Sequence, residues 1–145
     1  RRALGDAQDI ADVAEYIARL PMTIDNGRGP ELSLREGEAI YKRDCVDCHG
    51  DVGQGVSEDY SPMIHGQHFN YLMRQFEWIR VGKRRNADKK MTKQIGHFTF
   101  SQEIDVLSYV SSLKPPAEKL APTGGWVNPD FPRFVRIDDQ QNINK

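Results

Sequence analysis

Cys45-Val46-Asp47-Cys48-His49 places two thiols and an imidazole in one short stretch of chain. Wound on a helical turn, the thiols reach the two vinyl groups of a porphyrin while the imidazole is directed at its iron from one side, so C-x-x-C-H is the spacing for attaching a c-type haem. Two other chemistries use close thiols. A thioredoxin-like pair wants a neighbouring βαβ pattern, which the flanks lack. Half of a zinc site wants a second ligand pair, for which His65, His68 and His97 are available. A disulfide between Cys45 and Cys48 would close too small a loop to staple a fold of this size. The cysteines are chemical in purpose.

The elements that must position this motif follow from apolar spacing and caps. Ile10, Val13, Ala14, Ile17 and Leu20 predict an amphipathic helix capped by Asp6, with Asp9 in its first turn, and ended by Pro21. Thr23 to Pro30, with two glycines and a proline, reads as a linker. The capping box Ser33-Leu34-Arg35-Glu36 opens a helix that carries Leu34, Ala39, Ile40 and Tyr41 into the cysteines. Gly50 to Gln67 is expected to be irregular. Phe69, Leu72, Met73, Phe76 and Ile79 predict a helix from about 69 to 81, stopped by Gly82. Lys83 to Phe98 then reads as a polar loop. Ser101 is expected to cap a last helix with Ile104, Val106, Leu107, Val110 and Leu113, ended by Pro115-Pro116. Nothing alternates as a strand. The Pro-, Gly- and aromatic-bearing tail, including Trp126, Phe131 and Phe134, is expected to be an extended arm.

These landmarks resemble a class I cytochrome c, of the bacterial type found in one-haem and tandem two-haem carriers, over about Leu32 to Leu113. They are Gly37-Glu38-Ala39-Ile40-Tyr41, Cys45 to Gly50, Pro62-Met63-Ile64-His65-Gly66-Gln67, Tyr71-Leu72, Gly82-Lys83-Arg84, Met91 and the closing helix Ser101 to Leu113. The resemblance implies that the first and last helices of the domain cross beside one covalently bound haem c. It also implies that a methionine arrives between the third and last helices, and that the Pro62 carbonyl holds the second imidazole nitrogen of His49. Among four methionines, Met22 precedes the haem motif, Met73 fills a helical face, and Met63 follows Pro62 on the proximal side. Met91 stands at the family's ligand position in a stretch with no helical face to fill, and His97 is its main competitor. Ile64, Tyr41, Phe69, Tyr71 and Phe76 would line the ring, and Arg84 with Trp78 would serve its propionates.

The 145 residues, 28% charged and 38% apolar, suit a small globular chain. Lys plus Arg (20) nearly cancels Asp plus Glu (21), so neither nucleic acid nor an anionic membrane is an expected partner. There is no run long and apolar enough for a membrane span, and Arg1 to Asp6 lacks the apolar core of a signal peptide. The charge that matters is local: Arg80, Lys83, Arg84, Arg85, Lys89, Lys90 and Lys93 face a single Asp88 over residues 80–93, a collar suited to an acidic redox partner.

The expectation is an all-α protein. It has an N-terminal helix and linker over 1–30, a haem domain over 31–114 and an extended arm over 115–145. His/Met ligation implies one-electron transfer, as a carrier or as a relay in a larger redox complex. The alternative is a c-type haem enzyme or sensor with an open iron site. Covalent attachment in this family takes place outside the cytoplasm, so a periplasmic location is implied. Asp12-Val13, Tyr16-Ile17 and Leu20 recur as Asp105-Val106, Tyr109-Val110 and Leu113. The first helix therefore reads as the end of an upstream cytochrome domain, or as an element that docks on the haem domain or on another copy of itself.

Overall fold

The computed structural model describes residues 6–23, 25–124 and 126–129. Among them there are helices and no strands: α1 (Ala7–Arg19), α2 (Leu34–Asp44), α3 (Val46–His49), α4 (Phe69–Arg80), α5 (Lys89–Ile95) and α6 (Phe100–Ser112), with short 3-10 turns at Glu31–Ser33, Ser57–Asp59 and Ala117–Lys119. The protein is all-α. Two units result: Met22–Leu120 forms one, and α1 with the described residues after 120 belongs to the other. The capping box at Ser33 rests on a side chain outside the described set, as do Gly125, Phe131 and Phe134 of the expected arm.

The larger unit is built on the crossing of α2 and α6. A Cβ at Gly37 would lie 2.0 Å from the Asp105 carbonyl oxygen and 2.8 Å from Tyr109 Cβ, so only a glycine lets these backbones approach. One turn on, the Tyr41 and Tyr109 rings meet at 5.4 Å and 52°. Ile40, Tyr41, Val106, Leu107 and Val110 then share one core with Leu72, Phe76 and Ile79 of α4 and with Ile95 of α5. The apolar stripes expected of α2, α4 and α6 supply that core.

Four expectations are corrected. Residues 83–98 are not all loop, because Asp88 accepts hydrogen bonds from the Lys90 and Met91 amides and starts α5. The cap of α6 is Thr99, boxed with Gln102, rather than Ser101, which lies inside the helix. The stretch expected as a linker packs into the larger unit, which therefore begins near 22 rather than 31. There, buried Asn26 donates to the carbonyls of Gln67 (2.9 Å) and Ser111 (2.8 Å), and the Gly29 amide donates to Ser111 Oγ. At the other end the unit reaches 120 rather than 114, since the Met22 amide donates to the Lys119 carbonyl at 2.7 Å and Met22 bridges to Leu120.

In the smaller unit, α1 starts with the expected Asp6 cap, which Asp9 completes as a capping box. Its stripe lies open: Ile10, Val13, Tyr16 and Ile17 are exposed.

Candidate haem site

α2 delivers the motif. Its last turn runs on through the Cys45 amide, which donates to the Tyr41 carbonyl, and α3 adds one turn in which the His49 amide donates to the Cys45 carbonyl at 3.0 Å. Gly50 (φ +76) ends that turn in the left-handed region, where a side chain would be strained. The thiols are free; Cys45 is half-buried and Cys48 exposed. Burial, with the adjacent Asp44 carboxylate, pushes the free Cys45 thiol up to about 12.

His49 is buried, and its Nδ1 lies 2.9 Å from the Pro62 carbonyl oxygen. A carbonyl only accepts, so Nδ1 carries the proton and Nε2 keeps a lone pair for a metal. The turn behind it is tied down: Gly55 donates to the His49 carbonyl at 2.9 Å, and Ile64 and His65 donate to the Gly53 carbonyl at 2.8 and 3.1 Å. The Tyr41 hydroxyl donates to the Gly50 carbonyl at 2.5 Å, and burial pushes its pKa up to about 12. Buried His65 adds Nδ1 to the Val52 carbonyl at 3.1 Å. Sequence reasoning offered His65 only as a possible zinc ligand, since a histidine that braces a loop leaves no spacing signal.

Met91 sits half-buried on α5, packed against the core together with Cys45, Val46, Ile64, Phe69 and Met73. Met63 is exposed, and Met22 is held in its bridge to Leu120. His97 is exposed, and His65 has one ring nitrogen engaged. Among the described residues no three His, Cys, Asp or Glu side chains form a metal cluster, so nothing completes the zinc alternative. Of the expected apolar lining, Tyr41 and Phe76 are buried, whereas Tyr71 is exposed with Arg74 over its ring at 5.6 Å. Arg84 and Trp78 are joined by a backbone hydrogen bond of 2.9 Å. The Arg84 guanidinium already reaches Asn86 and Gln75, and the Trp78 ring is covered by Arg74 and Lys83 at 5.4 and 4.7 Å.

Two free thiols and a metal-ready imidazole on one turn, with Met91 half-buried against the same apolar core that Cys45 packs on, suit an iron porphyrin. With the α2/α6 crossing they define a class I c-type cytochrome. The cytochrome c family model matches residues 34–114, more than half of the chain, and the chain belongs to that family, whose covalently bound haem c is its cofactor. It is similar to cytochrome c4 of Pseudomonas aeruginosa, 29% identical over 116 residues that make up 73% of this chain and 57% of that protein. Cytochrome c-552 of Acidithiobacillus ferridurans is 28% identical, over 74% of this chain and 49% of that protein. The chain thus spans about half the length of these curated relatives. The solved cytochrome c4 of Acidithiobacillus ferrooxidans superimposes with a TM-score of 0.63 at 28% identity, covering 75% of this chain and 66% of that one.

Proposed function

We propose that this chain transfers single electrons through one haem c, held by thioethers to Cys45 and Cys48, with His49 and Met91 as axial ligands. The observation that carries the reading is the His49–Pro62 hydrogen bond, which fixes the tautomer and angle of the only buried imidazole within the attachment motif. When bound, the group supplies a one-electron ferric/ferrous couple. His49 would be the fixed nitrogen donor, and Met91, presented by the Asp88-capped α5, would be a soft donor of the kind that favours the ferrous state and leaves no site for oxygen or peroxide. Ile64 with Phe69 and Phe76 keeps water away, and Arg84 and Trp78 stand as donors to propionates at the end of α4.

The basic residues of 80–93 fit an acidic redox protein, in the periplasm where covalent attachment takes place. Arg80 withdraws from this collar, because it is paired with Glu77 and Glu103. The helix at the chain's start supports a two-domain reading. α1 and α6 have the same length, each with a boxed N-cap and an extended leucine C-cap whose amide donates back three residues. On this reading α1 closes an upstream cytochrome domain.

The test is carbon monoxide. Reduced wild-type protein is expected to bind it slowly or not at all. Met91→Ala should bind it at once, lose the ferric thioether charge-transfer band and fall in potential. Rapid stoichiometric binding by the wild type would establish an open iron site instead, and the same changes in Met63→Ala alone would move the ligand there.

A further inference from the structure

The carbonyl that accepts from the His49 ring belongs to a stretch, 61–65, that is stitched to the turn after the attachment motif on both sides of Pro62. Before it, Ser61 and Val56 exchange two amide–carbonyl hydrogen bonds of 3.0 Å. After it, the Ile64 and His65 amides share the Gly53 carbonyl at 2.8 and 3.1 Å. The two ties differ in what stands behind them. The Ser61–Val56 pair closes a turn at whose tip Tyr60 is 93% exposed. His65 is 2% exposed, and the next amide, on Gly66, donates to the Leu113 carbonyl at the end of α6. The His65 ring adds a side-chain bond: a carbonyl only accepts, so Nδ1 carries a proton and donates it to the Val52 carbonyl at 3.1 Å. Val52 itself is 51% exposed, so packing holds it weakly and its carbonyl is the firmer anchor. A Cβ on Gly53 (φ +74) would stand 3.1 Å from the His65 amide nitrogen, so the turn is seated directly on this residue.

We propose that His65 is a positioning residue for the electron-transfer centre: its ring bond to Val52 holds the 52–55 turn, and with it keeps the Pro62 carbonyl on the His49 ring. The inference rests on the electron-transfer reading above and deepens it. His65 acts at a distance, through the pairs of Gly53 with residues 64 and 65 and through the Gly55 amide on the His49 carbonyl. A carbonyl held close to Nδ1 pushes electron density toward Nε2 and makes it a stronger donor, which favours ferric over ferrous iron. Without the Val52 tie the turn loosens, the bond from Nδ1 to Pro62 weakens, and the balance moves toward the ferrous form.

Haem-loaded wild type, His65→Asn, His65→Gln and His65→Leu are equilibrated with a soluble mediator of fixed potential, and exchange of the His49 Nδ1 proton is followed through its hyperfine-shifted resonance in the ferric protein. The Asn amide nitrogen stands where Nδ1 stands and can still donate to Val52; the Gln amide lies one bond too far, and Leu has no donor. Asn should match the wild type within about twofold in both readouts, whereas Gln and Leu should raise the ferrous-to-ferric ratio about threefold or more and speed the proton exchange about tenfold or more. Thermal midpoints are recorded alongside. A lower midpoint with ratio and exchange unchanged would make His65 a packing residue, and equal shifts in Asn and Gln would remove the donor bond from the account; either overturns the proposal. If His65→Leu does not take up haem, the comparison of Asn with Gln still decides. Rapid carbon monoxide binding by the wild type would sink the carrier reading, while the His49 proton exchange would still separate Asn from Gln, because it reports on the bond to Pro62.

Discussion

Glu103 is 1% exposed and lies 3.0 Å from Arg80 Nη1, yet its Oε2 makes no well-aligned hydrogen bond. Burial pushes its carboxyl above the usual range, and the Arg80 charge pulls it back. A buried carboxylate that loses its partner costs about 3–5 kcal/mol, so Arg80→Met should destabilise the fold by about that much at neutral pH. A raised folded pKa favours the protonated form, so stability is complete at low pH and falls as pH rises through that pKa. The penalty of Arg80→Met should therefore shrink as pH drops toward the ordinary glutamate range, and Arg80→Met/Glu103→Leu should recover most of it. Urea melts from pH 4 to 7.5 check both points. At this scale the attachment motif was legible because covalent chemistry imposes a rigid spacing. The Arg80–Glu103 pair was not, because Glu103 reads as an ordinary polar residue of an amphipathic helix, and nothing in the spacing says that its turn faces α4.

The crossing of α2 and α6 turns on Gly37, and its neighbour is backbone, which cannot swing aside. Gly37→Ala should cost about 3 kcal/mol or more and lower the thermal midpoint, whatever the gain in helix propensity. The short helix α5 depends instead on its cap. Asp88→Ala should cost about 1 kcal/mol and let the Met91 signal disappear at lower denaturant than the α2/α6 core. Coincident transitions would show that α5 does not open on its own. The long helices were legible because each buries several apolar residues on one face. α5 was not: over seven residues its half-buried and buried apolar side chains are Met91 and Ile95, too few for a period, although Asp88 ahead of it was a readable cap. Asn26 escaped for the opposite reason. It is buried through hydrogen bonds to two carbonyls, so a search for apolar spacing passes over it.

At the scale of the molecule, the stripe of α1 calls for cover, since Ile10 and Ile17 are 57% and 60% exposed. With that stripe open, the chain should associate as concentration rises, and Ile10→Asp/Ile17→Asp should abolish this while leaving the haem spectrum unchanged. Sedimentation velocity decides, and a wild type that stays monomeric at high concentration refutes it. The helix itself was legible from its stripe and its Asp6 cap, but the extent of the larger unit could not be read, because its closing contacts are the backbone pairs of Met22 with Lys119 and Leu120. Those pairs have a consequence of their own. The unit's chain enters and leaves at the same point, so the stretch between is a cassette that can be copied end to end or spliced into another polypeptide without stretching either flank. The same geometry permits re-threading: joining 22 to 120 by a short tether and opening the chain at exposed Tyr60 should give a permuted protein with its haem ligands, and so its colour, unchanged.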